Sequence, residues 1–331
     1  MCNDHRDRDD SSDDDFPESL FHKLCDAHCH PHDDRQHLQD IAHVKTGHMT
    51  IMGVRQDDWD VVQQVAERCN SKDQPTKCVP AFGLHPWFVY RVMAKDETDK
   101  EAHYETVLSA TKPEEKVDMM KALEEPFAFD KWYSNLRDRL IKNPRAIIGE
   151  VGLDRAARLL PGGAIEWHGV KPTTVQCTIE HQLAILSTQL ELARELNRSV
   201  SIHCVQGQGH LLTLLQRLGD KKRPVRIDLH SYGGSAATIA QFMQLKGYEV
   251  YVSFSTAING RLPQKKMTDL IKAVPKDRLL LESDLNKPEG LDDSMTAIAR
   301  LVSKVHEWTL EETVQQTFEN WHYFIGHTSE E

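Results

Sequence analysis

No hydrophobic run in this 331-residue chain reaches the ~18 consecutive apolar residues that a membrane-spanning helix needs, so we expect no membrane span. The seven cysteines are an odd number and form no Cys-x-x-Cys motif, which argues against a disulfide framework and favours a reducing compartment. Positive charge is also scarce. A formal net charge of -11 argues against a broad nucleic-acid-binding surface, although metal ions can supply positive charge at a local site.

The N-terminus is acidic and polar, which is unlike a secretory signal or a basic transit peptide. We therefore expect the protein in the cytoplasm, the nucleus or both. Residues 1–20 are dominated by Asp, Ser and Arg and have too little apolar surface to offset the entropy of ordering. They are predicted to be a disordered acidic tail, and residues 21–331 to form one domain.

From residue 24 onward, strand-like apolar runs alternate with stretches of helical periodicity, of which residues 59–69 are an example. About eight such strand–helix units fit the length, which predicts an α/β protein with a (β/α)8 TIM-barrel fold. No Gly-rich phosphate loop follows the first strand, so a dinucleotide-binding fold is disfavoured. Two segments, 93–120 and 155–174, lack clear periodicity and are predicted to be insertions or long loops.

Two histidines follow the first predicted strand in the sequence Asp-Ala-His-Cys-His. Because His28 and His30 are two residues apart, they point to the same side of an extended chain. Neutral imidazole is a common metal ligand, so the pair is a candidate start for a metal site. A solvated loop explains the pair equally well when it is considered alone.

Polar residues also end the later predicted strands, namely Glu150, His203, His230 and Asp284. Each has an ordinary structural alternative as a hydrogen-bonded loop residue, a cap or an ion-pair partner. In a (β/α)8 barrel, however, all strand carboxyl ends meet at one rim. Four imidazoles and two carboxylates at that rim suit two divalent cations, with zinc or manganese favoured over the oxygen-preferring magnesium. Such paired sites commonly perform hydrolysis.

The motifs of the chain resemble those of the TatD family of metal-dependent hydrolases, which have amidohydrolase-like TIM barrels. The resemblance covers roughly residues 22–326, and the matching segments are 26–30, 83–86, 149–154, 201–203, 229–235 and 279–284. The inserted segments are similar to those of fungal members. The family's usual reaction is phosphodiester hydrolysis, so the resemblance implies a deoxyribonuclease with DNA as its substrate.

The resemblance also implies a role for each site residue. One metal would bind His28, His30, Glu150 and Asp284, and the other would bind Glu150, as a bridge, together with His203 and His230. Asp284 would be the general base, and with Glu150 it forms the predicted catalytic pair. His85 would lie near the site, where it either binds substrate or packs the loop before Trp87.

One departure concerns phosphate binding. The family usually has a basic residue shortly after the Ile-His motif, whereas here residues 204–207 read Cys-Val-Gln-Gly. Basic candidates elsewhere on the rim are Arg261, Lys265 and Lys266, with a solvated helix start as the alternative.

Two other functions stay open from the sequence. The missing basic residue slightly favours a hydrolase of an amide, ester or lactone, because the same metals polarise a carbonyl group. A scaffold that binds a protein partner through the inserted loops is the third hypothesis. We expect a monomer, since no apolar helix face is left over.

Overall fold

The computed structural model describes residues 15–165 and 169–326. Its strands are β1 (Cys25–Cys29), β2 (His48–Gly53), β3 (Cys78–Phe82), β4 (Leu108–Ser109), β5 (Ile147–Asp154), β6 (Gln176–Cys177), β7 (Val200–Val205), β8 (Val225–Leu229), β9 (Tyr248–Phe254) and β10 (Leu279–Leu281). Its helices are α1 (Trp59–Cys69), α2 (Lys100–Val107), α3 (Pro113–Ala122), α4 (Phe129–Lys142), α5 (Ile179–Leu196), α6 (Gln208–Leu218), α7 (Ala236–Met243), α8 (Thr256–Asn259), α9 (Gln264–Ala273), α10 (Leu291–His306) and α11 (Leu310–Ile325). None of these helices is long and apolar enough to cross a membrane.

Eight strands form one parallel sheet in the order β1-β2-β3-β5-β7-β8-β9-β10. Backbone hydrogen bonds join the loop after β10 to the end of β1 and so bring the two edges together. The amide of Asp284 donates to the His28 carbonyl oxygen (3.0 Å), and the amide of His30 donates to the Leu285 carbonyl oxygen (2.8 Å). The predicted (β/α)8 barrel is confirmed, and the carboxyl ends of its strands share one rim.

The opposite end of the barrel is closed by the last helix. Trp321 and Phe324 of α11 are fully buried and belong to the same apolar cluster as the inward-facing barrel residues Met52 and Leu280. The Trp321 indole N–H donates to the Thr50 hydroxyl (3.0 Å), which satisfies its buried polar atom. The end of the barrel that α11 leaves uncovered is therefore the rim where the strands end.

The predicted acidic tail is only partly described. Residues 1–14 lie outside the described residues. A short 3-10 helix spans Glu18–Lys23, so regular structure begins three residues before residue 21, the predicted start of the domain. The last strand, β10, ends at Leu281, three residues before the predicted site residue Asp284. The strand ends there because the backbone N–H of Ser283 donates to the Asp26 carboxylate (3.0 Å) instead of to a neighbouring strand.

The two segments that are predicted to be insertions or long loops differ in how much regular structure they contain. Residues 93–120 include α2, β4 and most of α3, so the loop alternative is wrong for this segment. Asp99 caps α2 by accepting a hydrogen bond from the Ala102 amide (2.8 Å). Residues 155–165 and 169–174 are largely irregular, as predicted, apart from a 3-10 turn at Pro161–Gly163. Strand β4 of the first segment pairs antiparallel with β6, which begins two residues after the second segment ends.

Candidate metal centre

The two histidines of the first strand lie against each other at the rim. His28 is fully buried at the end of β1, and His30 follows the strand. Their Nε2 atoms are 3.1 Å apart. The His28 Nδ1 atom lies 2.8 Å from the Ser201 hydroxyl, and the His30 Nδ1 atom lies 3.2 Å from the Met52 carbonyl oxygen. Both rings are therefore fixed with Nε2 directed towards the middle of the barrel.

Glu150 occupies the middle of the site. Its Oε2 atom is 3.5 Å from His28 Nε2 and 3.3 Å from His30 Nε2. Its Oε1 atom is 3.1 Å from His203 Nδ1 and 2.8 Å from His230 Nε2. His85 Nε2 also lies 3.2 Å from Oε1. The two oxygens of one carboxylate thus face two different groups of imidazoles, which is the arrangement that a bridging ligand requires.

Asp284 completes the set beside the first pair. Its Oδ1 atom lies 3.6 Å from His30 Nε2 and 3.9 Å from His28 Nε2. Its Oδ2 atom accepts a hydrogen bond from the Ser231 hydroxyl (3.3 Å). The structure therefore brings together all six side chains that the sequence singled out, while their role as metal ligands stays a prediction.

The hydrogen bonds of the histidines test whether a cation fits. When His30 Nδ1 donates to the Met52 carbonyl oxygen, the Nε2 atom of the neutral ring carries a lone pair towards Glu150. His203 Nε2 donates to Asp154 (3.1 Å), and its Nδ1 atom faces Glu150. Burial lowers the pKa of this ring, but the hydrogen bonds to Asp154 and Glu150 outweigh burial and raise the pKa above its ordinary value. Burial lowers the pKa of His30, but the carboxylates of Glu150 and Asp284 outweigh burial and raise it to about 9, so a proton faces Glu150 unless a metal cation replaces it. Imidazole and carboxylate donors suit divalent transition metals.

Three overlapping groups of side chains have their ligand atoms within 4.8 Å of one another. They are His28 with His30 and Glu150, His85 with Glu150 and His203, and His28 with His230 and Glu282. The first group matches the predicted first metal site. The second contains Glu150 and His203 of the predicted second site but has His85 in place of His230.

The electrostatics follow from burial and close opposite charges. Burial alone would raise the pKa of Glu150, but the imidazoles of His85 and His230 hold that pKa well below its ordinary value. Burial lowers the pKa of His28 to about 3, which keeps this ring neutral, as a metal ligand must be. Burial likewise raises the pKa of Asp284 to about 6, although the nearby His230 opposes the shift.

His85 is placed beside Glu150, with its Nε2 atom 3.2 Å from Oε1. Its Nδ1 atom accepts the backbone N–H of Trp87 (3.2 Å), so the neutral ring carries its proton on Nε2 and donates it to Glu150. This tautomer makes His85 a hydrogen-bond donor to the bridging carboxylate. The predicted contact between His85 and substrate is untested and stays a prediction.

Sequence reasoning missed the side chains that hold the predicted ligands in place. Asp154, at the end of β5, accepts hydrogen bonds from His203 Nε2 (3.1 Å) and from the Trp87 indole N–H (2.7 Å). Ser201 contacts His28, and the buried Glu282 lies 3.9 Å from His230 Nδ1. Spacing was an available signal, because Asp154 is four residues after Glu150 and side chains alternate along a strand.

The basic residues predicted near the late rim have other partners. Lys265 forms an ion pair with Asp269 (2.7 Å), and Lys266 donates to the Gly233 carbonyl oxygen (2.9 Å). These contacts favour the solvated helix start for both lysines.

With this geometry in place, comparison with known proteins identifies the family. Residues 25–326 match the family model for TatD related DNase. The chain belongs to the TatD-related DNase family. The predicted resemblance is confirmed, and so, at the level of the family, is the prediction of a metal-dependent hydrolase of the nuclease type.

Individual relatives agree with this assignment over nearly the full chain. The Cut9-interacting protein scn1 of Schizosaccharomyces pombe is 33% identical, with 91% of this chain and 98% of that protein covered. The uncharacterized deoxyribonuclease YMR262W of Saccharomyces cerevisiae is 28% identical, with 92% and 100% covered. The crystal structure of the TatD homologue YjjV from Escherichia coli superposes with a TM-score of 0.60 at 20% identity, covering 92% of this chain and 98% of that one. This last likeness supports the fold.

Proposed function

We propose that this TatD-family member hydrolyses phosphodiester bonds of DNA, with two divalent cations held at the rim. The observation that carries the proposal is the position of Glu150, whose two carboxylate oxygens face separate groups of imidazoles. The proposed ligands are His28, His30, Glu150 and Asp284 for one cation, and Glu150, His203 and His230 for the other. Zinc, manganese and magnesium are the candidates.

Divalent cations at such a site supply Lewis-acid stabilisation of the charge that develops on phosphoryl oxygens. Asp284 is the proposed general base, because its carboxylate lies at the open side of the site beside His30. Asp154 orients His203, and Ser201 orients His28. His85 donates a hydrogen bond from Nε2 to Glu150, and any contact of His85 with substrate is proposed through this same Nε2–H group, because Nδ1 already accepts from Trp87.

DNA is the proposed substrate because the matched family is described as TatD related DNase and the budding-yeast relative is named a deoxyribonuclease. A first experiment joins metal content to activity. The chain is purified without chelator, its metals are counted by elemental analysis, and cleavage of single- and double-stranded DNA is assayed with added Mn²⁺, Mg²⁺ or Zn²⁺.

Glu150→Ala is the informative variant, and Glu311→Ala, which removes an exposed carboxylate from the first turn of α11, is the control. We expect about two metals per chain in the wild type. The Glu150 variant should lose both metal and cleavage, while the control keeps both. If the chain binds metal but cleaves no DNA, the proposed substrate becomes an amide, ester or lactone. A chain that binds no metal under any condition would refute the site.

A protein partner at the inserted loops is a second candidate function. The fission-yeast relative is named for its interaction with Cut9. In this chain, Val117 of the first insertion and Val170 of the second are about half exposed, at 49% and 52%. If deletion of residues 155–174 abolishes the cellular function while Glu150→Ala leaves it intact, the binding role is the correct one. The predicted monomer can be checked by light scattering.

A further inference from the structure

An exposed tryptophan lies at the edge of the metal centre. Trp87 is 52% exposed, yet its indole N–H donates to Asp154 Oδ2 (2.7 Å), the same carboxylate oxygen that accepts from His203. The centroid of the Trp87 ring is 6.4 Å from that of His203 and 5.0 Å from that of His85. The ring is therefore fixed in orientation and remains open to a ligand beside the proposed metals.

An apolar cavity opens next to this ring. It has a volume of about 360 Å³ and extends from Trp87 to the second insertion. Its walls include Phe88 and Tyr90 from the loop after β3, together with Leu159 and Leu160 from the loop after β5. A flat apolar group bound there would stack on the indole while remaining beside the metal centre.

Two arginines of the loop after β5 supply positive charge: Arg155 directly follows Asp154, the partner of Trp87, and Arg158 lines the cavity. A guanidinium nitrogen of Arg155 donates to the Gln206 carbonyl oxygen (3.3 Å), so Arg155 covers the loop after His203 that has no basic residue of its own. Arg158 lines the cavity and donates to the carbonyl oxygens of Arg155 and Ala157. Within residues 15–165 and 169–326, neither guanidinium forms an ion pair, so both can receive an anion.

We propose that Trp87 and the adjoining cavity bind the base of a nucleotide next to the cleaved bond, while Arg155 binds a phosphate of the same strand. This inference rests on the proposed function and adds to it the form of the substrate. Bases of any sequence stack on aromatic rings, and guanidinium groups bind phosphate oxygens in pairs. A ligand that combines a flat ring with an anion matches the cavity and the charge together.

The subsite also predicts which form of DNA is bound. A base in a duplex is already paired and stacked between its neighbours, so it must leave the stack before it can contact Trp87. A single strand or a frayed end presents such a base at much lower cost. We therefore expect single-stranded DNA to bind more tightly than a duplex of the same sequence.

The test measures binding separately from cleavage. The full-length, metal-loaded chain is titrated into a fluorescent single-stranded oligodeoxynucleotide with phosphorothioate linkages, which resist hydrolysis, and anisotropy is recorded. One abasic residue is then moved along the strand. We expect a loss of roughly 5- to 150-fold in affinity at one position, since base stacking on an aromatic ring is worth ~1–3 kcal/mol.

Substitutions assign that loss to the ring. Trp87→Leu should bind the intact and abasic strands equally, whereas Trp87→Phe, which keeps a ring but loses the hydrogen bond to Asp154, should retain most of the difference. Tyr323→Leu, which removes an exposed aromatic ring in the last turn of α11, should behave like the wild type. Equal weakening of both strands by Trp87→Leu would overturn the base contact.

Salt dependence tests the phosphate contact. Arg155→Gln should reduce the slope of log affinity against log salt by about one, as expected for one lost phosphate contact. Arg217→Gln removes the same charge from the last turn of α6, at the other end of the barrel, and should keep the wild-type slope. A wild-type slope in Arg155→Gln would refute the contact.

The wild-type protein separates this inference from the proposed function. If it cleaves DNA but its affinity does not depend on any base, this subsite alone is refuted. If it cleaves no DNA, the proposed function is refuted.

Discussion

Asp154→Asn is the substitution that most directly probes how this chain prepares a metal ligand. Asp154 Oδ1 accepts the backbone N–H groups of Ala156 (2.8 Å) and Ala157 (2.9 Å), while Oδ2 accepts from His203 and Trp87. An asparagine whose side-chain oxygen keeps the two backbone hydrogen bonds must direct its NH2 group at His203 Nε2 and the Trp87 indole N–H, which are themselves donors. His203 can then relieve the conflict only by losing its Nε2 proton and carrying a proton on Nδ1, the atom that faces Glu150.

The expected loss follows from the role of such an orienting carboxylate. Removing a hydrogen-bond partner behind a ligating histidine typically weakens metal binding by ~10- to 100-fold, or about 1.4–2.7 kcal/mol. The loss should fall on the cation that is proposed to bind His203. The cation beside His28 and His30 should be affected less, because neither ring contacts Asp154.

Isothermal titration of metal-free protein with Zn²⁺ or Mn²⁺ measures both binding events. We expect one event of Asp154→Asn to weaken by the stated factor and the other to stay near the wild-type affinity. Trp87→Phe is the matched control, since it removes the other donor to Asp154 but leaves the His203 tautomer unchanged. Wild-type affinity in both events of Asp154→Asn would refute the reasoning, and so would an equal loss in Trp87→Phe.

Three further predictions concern stability. Chelation of the metals should lower the melting temperature in differential scanning fluorimetry, since a ligand at 100 times its Kd stabilises by ~2.7 kcal/mol; the difference should vanish in Glu150→Ala. Gln182→Leu should lower the free energy of unfolding in urea by ~1–3 kcal/mol, because the buried side-chain amide forms hydrogen bonds with the backbone N–H and carbonyl groups of Asp154. Unchanged stability would exclude this role. Thr309→Ala should lose ~1 kcal/mol by removing the N-cap of α11, with Thr309→Ser as a control that stays near the wild type.

Much of the fold could be predicted because its helices bury a regular apolar stripe. The prediction for residues 59–69 matches α1 in both boundaries, since Val62, Val65 and Ala66 recur at helical spacing and are buried. In α3, by contrast, only Met119 of ten residues is buried, so no such stripe exists. The remaining signal was Pro113 at the first position with acidic residues behind it, which is typical of a helix start.

The ligands themselves could be predicted because they end strands, and a barrel brings strand ends together. Their orientation could not, because it depends on contacts between strands. The Ser201 hydroxyl reaches His28 across the barrel, and the Trp87 indole reaches Asp154 from a different loop. Which nitrogen of His203 or His85 carries the proton depends on such partners, and no spacing along one segment encodes them.

The short ribbon of β4 and β6 ties two stretches of chain that lie far apart in sequence, since Leu108 pairs with Cys177 and Ser109 with Gln176. If either stretch is removed, the other is left with an unpaired backbone edge. We therefore expect the two stretches to have been gained or lost together during the divergence of the family. A chimaera that exchanges the rim loops of two family members should accordingly exchange both stretches together.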